Sequence, residues 1–461
     1  MSYSETISYL YGLRKQGIKF GLDNITRLLS ELKNPHKSFP SVHVAGTNGK
    51  GSTSAIIASI LQTAGVRVGL FTSPHLVSFT ERMKIDGVEI TESELVQLAS
   101  EIKEIVSGID DFSPTFFEVV TAMALLYFER EGINAAVIEV GMGGRLDATN
   151  IIVPEVSVIT NIGYDHKEFL GNTIREIAYE KAGIIKSGIP VVTAHQEPEV
   201  REVIEKKAGE QQAELYIYGK DFSSTLKKED MSGICFDYRN DSLVLHDLFL
   251  PLTGEHQMQN ASVAIKAIEL LAKKSTCRFS LDSFIREGLK RVRWPGRLEL
   301  IHEDPPIVID GAHNPAAAIA LSRTLRNLFL RKYEKIILVL GIMDDKDISG
   351  VMKPLLPLAS EIILTSASYS RAASPEKLAD IAASLGFHNV RTSFFLKNAL
   401  GMAIGIASTA KDQDSPGADQ PDTLPFTPRP LPVILVTGSF YTIGEAKELL
   451  GQRGVLTRLR E

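Results

Sequence analysis

The sequence predicts an α/β protein built of two parallel-sheet domains, and two observations carry that prediction. Short apolar runs alternate with helical patterns along most of the 461 residues, as when helices layer on parallel strands. A glycine-rich stretch, GTNGKGS at residues 46–52, separates one such run from the helical pattern after it. The length exceeds one ordinary core and suits two domains.

Taken in order, Val42–Ala45 reads as a strand, followed by the glycine-rich turn and a helix over 52–64. Val66–Phe71 is the next strand. Phe117–Arg130 has helical spacing and feeds the buried run Ala135–Val140, after which Val156–Thr160 is a further strand. Residues 213–250 differ, with short β pieces around polar turns, and a helix then covers Met258–Lys273. Trp294-Pro295-Gly296-Arg297 punctuates the chain, so the domains are placed at 1–295 and 296–461. The second series has strands at Ile307–Asp310, Lys335–Gly341, Glu361–Thr365 and Val433–Thr437, with helical patterns over 315–331 and 375–385. The proline-rich stretch 411–432 reads as a mobile surface insert. No internal repeat is evident.

Composition narrows the function. Hydrophobic residues at 44% and charged residues at 23% are globular values. A net charge of −6 gives no global field for nucleic acid or an anionic membrane, so an anionic ligand needs a local cradle. Two cysteines, Cys235 and Cys277, make neither a disulfide framework nor a zinc site, which fits a reducing cytoplasm. No signal-like segment or run of about 18 apolar residues occurs, so a cytoplasmic chain is expected.

The chemistry concentrates after strands. Backbone N–H groups of Thr47, Asn48, Gly49, Lys50, Gly51 and Ser52, with the helix N-terminus, can cradle an anion, and Lys50 adds a point charge for phosphates. The stretch departs from G-x-x-x-x-G-K-[ST]: Val44 replaces the first glycine, and Gly51 replaces the metal-binding hydroxyl. The missing oxygen must come from Ser52 or from Ser73 in FTSPHL, although Ser73 also reads as a simple turn former. Glu139 ends an apolar run before GMGGRLDATN, where a carboxylate is costly unless paired or metal-bound. His166 and Asp165 in NIGYDHKEFLG also follow a strand. Lys181 lies on a helical stretch, where spacing alone predicts a solvated surface residue. Asp310 opens DGAHNP with His313 and Asn314, while Asn260 and Arg297 flank the boundary, where a ligand could be clamped.

Together GTNGKGS, FTSPHL, ERMKIDG, TFFE, IEVGMGGRLDATN, NIGYDH, EKAGI, QNASVA, PGRLE, DGAHNP and VTGSFYTIGE resemble, in order, the Mur ligase superfamily. Within it they resemble the folylpolyglutamate synthase/dihydrofolate synthase family, over residues 46 to 444. The resemblance implies a P-loop-type parallel-sheet ATPase domain followed by a smaller Rossmann-like α/β C-terminal domain. It implies an ATP-dependent ligase that joins L-glutamate to dihydropteroate or folates through an acyl phosphate, with ATP and two magnesium ions. By position, Asn48, Gly49, Lys50 and Gly51 are similar to the phosphate cradle, and Ser73, Glu139 and His166 to the magnesium ligands. Lys181 is similar to a carbamylated lysine. Asn260, Arg297 and Asp310 are similar to nucleotide contacts, and His313 is a candidate for positioning the intermediate or the amine. Ile18, Lys19, Phe20, Gly21, Thr115, Phe116, Phe117, Glu118 and Leu146 are similar to pterin-pocket positions, with Arg82 of ERMKIDG on the same substrate side.

A small-molecule enzyme acting as a monomer is expected, with no nucleic-acid or membrane partner. Two rivals stand. Peptidoglycan-precursor ligases of the same superfamily carry an extra N-terminal domain, for which the 45 residues before Gly46 leave no room. A non-ligase ATP-binding switch has no need of the second-domain set Arg297, Asp310 and His313.

Overall fold

The computed structural model describes residues 1–16, 21–274, 281–413 and 431–451. The chain forms two compact units: Met1–His75 with Phe79–Trp294, and Leu76–Ser78 with Pro295–Glu461.

The first unit is organised by an eight-stranded sheet. Its strands are β1 (Ser41–Ala45), β2 (Val68–Phe71), β3 (Met83–Ile85), β4 (Val88–Glu89), β5 (Ala135–Glu139), β6 (Val156–Ile159), β7 (Val191–Thr193) and β8 (Leu215–Ile217). Their order is β4-β3-β2-β5-β1-β6-β7-β8. Every pair from β2 to β8 is parallel, and β3 and β4 add an antiparallel edge. The central strands are buried along their length because helices cover both faces, which is why they read as apolar runs. The helix Lys50–Thr63 is buried on most sides. Ile56, Ile57 and Ile60 join Ala261, Ile265, Ile285 and Leu289 of the helices Glu255–Lys274 and Leu281–Arg291 in one core.

The 213–250 region divides in two. Leu215–Ile217 joins the parallel sheet as its edge, whereas β9 (Phe222–Asp230), β10 (Gly233–Asn240) and β11 (Val244–Leu250) form a separate antiparallel sheet. A buried polar network ties that sheet to the Glu255–Lys274 helix. Tyr238 Oη donates to Glu269 Oε1 at 2.5 Å, Asn240 Nδ2 donates to the same carboxylate at 2.8 Å, and Lys266 Nζ stands 3.3 Å from it.

The second unit holds β12 (Glu299–Glu303), β13 (Pro306–Asp310), β14 (Ile336–Leu340), β15 (Glu361–Thr365), β16 (Arg391–Ser393) and β17 (Val433–Thr437). Their order is β12-β13-β17-β14-β15-β16, parallel except at β12. The helical pattern over 315–331 is interrupted: Pro315–Thr324 is α-helical, Leu325–Phe329 widens into a π turn, and Leu330–Lys332 closes it. Most of the proline-rich stretch, residues 414–430, lies outside the described residues. Among the described residues no helix is long and apolar enough to cross a membrane.

Candidate active site

The connections after β2, β5, β1 and β6 leave the carboxyl ends of four adjacent parallel strands, where open α/β sheets receive ligands. They are FTSPHL, VGMGGRLDATN, GTNGKGS and NIGYDHK, so four separate motifs meet at one sheet edge.

In the loop after β1, Gly49 precedes the helix at φ 88°, a left-handed conformation that favours glycine. Any side chain there would run into the Asn260 amide. Asn260 is itself held by donating to Gln257 Oε1 at 3.0 Å. The N–H groups of Thr47 and Asn48 donate to the Asn161 carbonyl at 2.9 and 3.1 Å, and Thr47 Oγ1 donates to the Gly163 carbonyl at 3.0 Å. These bonds lash the loop to the one after β6. Of the cradle expected over 47–52, the Thr47 and Asn48 N–H groups are thus already committed, which leaves the first helical turn, whose N–H groups have no intrahelical acceptor. Lys50 Nζ folds over the loop and donates to the carbonyls of Gly46 and Thr47 at 3.2 and 3.3 Å. Ser52 Oγ, in the same turn, is buried without a partner. Leaving a hydroxyl so costs about 1–3 kcal/mol unless a ligand oxygen or a hard cation meets it.

Lys181 is not on the surface. It is 4% exposed on the helix Ile174–Ala182, and its Nζ donates to the Gly46 carbonyl at 2.9 Å. Burial, assisted by the nearby Lys50 charge, pushes its amine down to about 7, while Asp165 and Asp147 pull the other way. Asp147 is likewise buried and its carboxyl is raised by desolvation, against hydrogen bonds that favour the charged form. Those bonds come from the N–H groups of Met142 at 2.8 Å and Thr149 at 3.0 Å and from Thr149 Oγ1 at 2.5 Å, which shape the GMGGRLD turn.

Glu139, buried at the end of β5, accepts from the Ser73 N–H at 3.0 Å, so two of the expected metal ligands are neighbours. His166 sits at φ 50° with a half-exposed ring, its Nε2 3.9 Å from Asp165 Oδ2. Among the described residues no group of three or more His, Cys, Asp or Glu is arranged to hold a metal. The expected set takes only Glu139 and His166 from those types. Its hydroxyl and carboxylate oxygens, with the orphaned Ser52 Oγ, suit a hard divalent cation, and the imidazole is the softer member of the set.

Of the residues expected to line a substrate pocket, Thr115 caps the helix Phe116–Arg130, and Glu118 Oε2 accepts from the Thr115 N–H at 2.6 Å. Phe117 lies 6.0 Å from Phe71, and Leu146 is half-buried in the turn after β5. Ile18, Lys19 and Phe20 lie outside the described residues; Gly21 follows them at φ 147°. Around Phe116 stands a set that the sequence did not suggest. Tyr11 stacks on Phe116 at 5.7 Å, Phe79 meets it edge-on at 6.2 Å, and Arg14 lies 4.2 and 4.9 Å from the Tyr11 and Phe116 rings. Buried Arg82 lies 5.6 Å from Phe116, and its Nε donates to His75 Nδ1 at 2.8 Å. An accepting Nδ1 puts the neutral ring's proton on Nε2, which faces Tyr11 Oη at 3.2 Å. Aromatic faces edged by guanidinium groups are the chemistry for a flat conjugated ring.

In the second unit, Asp310 ends β13 and accepts from the N–H groups of Leu298 at 3.1 Å and Ala312 at 2.9 Å. Burial raises its carboxyl against the pull of Arg297. Arg297 and His313 both pack on Phe440, at 5.1 and 5.2 Å, and Asn314 caps the Pro315–Thr324 helix.

Both parts of the chain resemble known proteins. Residues 44–268 match the Mur ligase middle domain, and residues 296–414 match the Mur ligase, glutamate ligase domain. The dihydrofolate synthase/folylpolyglutamate synthase of Bacillus subtilis is 40% identical over 384 residues, 82% of this chain and 88% of that protein. The Mycobacterium tuberculosis protein of the same name is 36% identical over 449 residues, 94% of this chain and 90% of its own. Among solved structures, M. tuberculosis folylpolyglutamate synthase complexed with ADP superposes with TM-score 0.88 at 34% identity, covering 98% of this chain and all of that one. A folylpolyglutamate synthase–AMPPCP–folate complex gives TM-score 0.79 at 33% identity, with the same coverage.

Proposed function

This chain belongs to the dihydrofolate synthase/folylpolyglutamate synthase family of Mur ligases, and on that premise we propose that it joins L-glutamate to the carboxylate of a pterin–p-aminobenzoyl acceptor. It is an ATP-dependent, amide-forming ligase. The observation that supports the reading most is the first turn after β1. Lys50 is folded over the loop, an unpartnered Ser52 hydroxyl is buried beside it, and a buried, weakly basic Lys181 closes its floor.

A carboxylate does not accept an amine at neutral pH, because its carbonyl is electron-rich and oxide is a poor leaving group. In the proposed reaction an acceptor carboxylate oxygen attacks the γ-phosphorus of ATP, ADP leaves, and an acyl phosphate forms. The glutamate nitrogen then attacks the acyl carbon, loses a proton, and inorganic phosphate departs. Both steps crowd anions together, so fixed positive charge is the main demand on the protein. Lys50 and the N–H groups of the Lys50–Thr63 helix would bind the phosphates. Ser73, Glu139 and His166 would hold magnesium, which when bound neutralises phosphate charge. Lys181 would carry a carbamate, placing a carboxylate in this site. Tyr11, Phe79, Arg82 and Phe116 would receive the pterin ring system. Arg297, Asp310 and Asn260 are assigned to the nucleotide, and His313 to positioning the intermediate or the amine.

The test is incubation with ATP, glutamate and either dihydropteroate or a tetrahydrofolate, with products identified by mass. One added glutamyl residue and one ADP per turnover are expected, and the acceptor used shows which of the two activities the chain carries. No glutamyl product with either acceptor overturns the reading.

A further inference from the structure

Gly51 stands where phosphate loops of the G-x-x-x-x-G-K-[ST] type carry a hydroxyl, and the structure supplies a steric cause. A Cβ added at residue 51 would lie 2.5 Å from Cζ2 of Trp294, 3.1 Å from Cε2 and 3.3 Å from Nε1. Non-bonded carbons settle at about 3.5–4.0 Å, so no side chain fits while the indole stays in place. The indole is partly buried, with core contacts that it would have to give up to swing aside. It packs against the core cluster that contains Ile56, Ile57 and Ile60 of the same helix and Val292. Trp294 is also the only tryptophan in the sequence and the last residue of the first unit.

We propose that Trp294 is a positioning residue for the nucleotide phosphates: its ring seats the first turn of the Lys50–Thr63 helix and makes residue 51 a glycine-only position. This rests on the nucleotide reading of the loop. The physical logic is that this turn must present its N–H groups at fixed points. The loop residues before it are committed to Asn161, so nothing else in the loop can move to compensate. A flat ring against the glycine backbone fixes the turn from one side. It also excludes the hydroxyl that would otherwise serve a metal, so oxygen donors must come from other residues. Removing the ring leaves Lys50, Glu139 and Lys181 in place but unseats the N–H groups. The loss should therefore fall on nucleotide affinity and on KM for ATP more than on kcat.

The test is calorimetric titration of the full-length chain with ADP, in wild type, Gly51→Ala, Trp294→Ala and the double variant, each checked for an unchanged far-UV spectrum. Both single variants should bind ADP more weakly. The double variant should bind more tightly than Gly51→Ala alone, with a coupling of at least roughly threefold, within the range for side chains in contact. In the wild type the single tryptophan's fluorescence should change saturably with ADP, at the calorimetric midpoint. If Trp294→Ala does not fold, Trp294→Phe replaces it, because the smaller ring should still give room at 51 and the same rescue. Gly51→Ala binding like wild type, or strictly additive single effects, removes the role of Trp294. Failure of the wild type itself to bind ADP removes instead the nucleotide reading on which the role rests.

Discussion

Lys181 gives the sharpest prediction, because its environment makes a reactive amine where an ordinary lysine would be inert. With a pKa near 10.5, only roughly three lysines in ten thousand are neutral at pH 7. Burial next to Lys50 brings Lys181 down to about 7, so about half its population is neutral there, a gain on the order of a thousandfold. Neutral amine is what captures carbon dioxide, forming R–NH–COO⁻ and releasing a proton. The sign follows: amine is available above its pKa and withdrawn below it. The carbamate and the activity that depends on it should therefore hold at pH 8 and decline as pH falls through about 7. The assay is carbon-13 NMR of the protein in labelled bicarbonate, read beside turnover over the same pH range. Lys181→Ala should lose both the signal and most activity, and a short-chain carboxylate should restore a fraction of the activity. Lys181→Arg should fail without rescue, because guanidinium stays protonated and cannot form the adduct. Full activity in Lys181→Arg, or turnover indifferent to bicarbonate removal, would refute the reasoning.

The remaining predictions follow from other contacts. Lys50→Ala should cut ATP turnover by about a hundredfold or more with a nearly unchanged melting curve, because among the described residues Nζ donates to the loop carbonyls of Gly46 and Thr47 rather than into a core. Glu139→Gln keeps an acceptor for the Ser73 N–H but loses the charge, so the magnesium titration should shift roughly tenfold upward; His166→Ala should shift too and be partly recovered by excess magnesium. Wild-type titrations in both variants would remove those residues from the metal site. Asp147→Asn should lower stability by about 1–3 kcal/mol in urea unfolding, since an amide cannot accept with both of its ends from Met142 and Thr149.

How much of this was legible depends on whether the cause is local. Ala135–Glu139 and Val433–Thr437 were readable as strands because each is buried on both faces and therefore continuously apolar. The β3–β4 hairpin was not, since two- and three-residue edge strands leave no periodicity to detect. The π turn at Leu325–Phe329 went unseen for a related reason: widening a helix by one residue leaves its apolar spacing nearly intact. Lys181 shows the limit most clearly. A lysine at helical spacing reads as solvated, and only the tertiary fold brings the Gly46 carbonyl and the Lys50 charge against it. The aromatic set around Phe116 was hidden likewise, because Tyr11, the His75–Phe79 stretch and Phe116 come from three segments with no shared pattern.

The glycines of GTNGKGS carry the argument one step further. In sequence they read as one signal, backbone left bare so that phosphate can approach. In the structure two of the three have separate causes: Gly49 takes a left-handed φ and meets the Asn260 amide, while Gly51 meets the Trp294 indole. Both obstacles arrive from distant parts of the chain, at the helix Glu255–Lys274 and at the residue before Pro295. A motif can thus be recognised locally while the reason for its departure from the common pattern is tertiary. The missing hydroxyl at 51 is then not a degraded phosphate loop. An indole occupies that volume, and on the proposed reading the oxygen donors at this sheet edge would be Ser52, Ser73 and Glu139 instead.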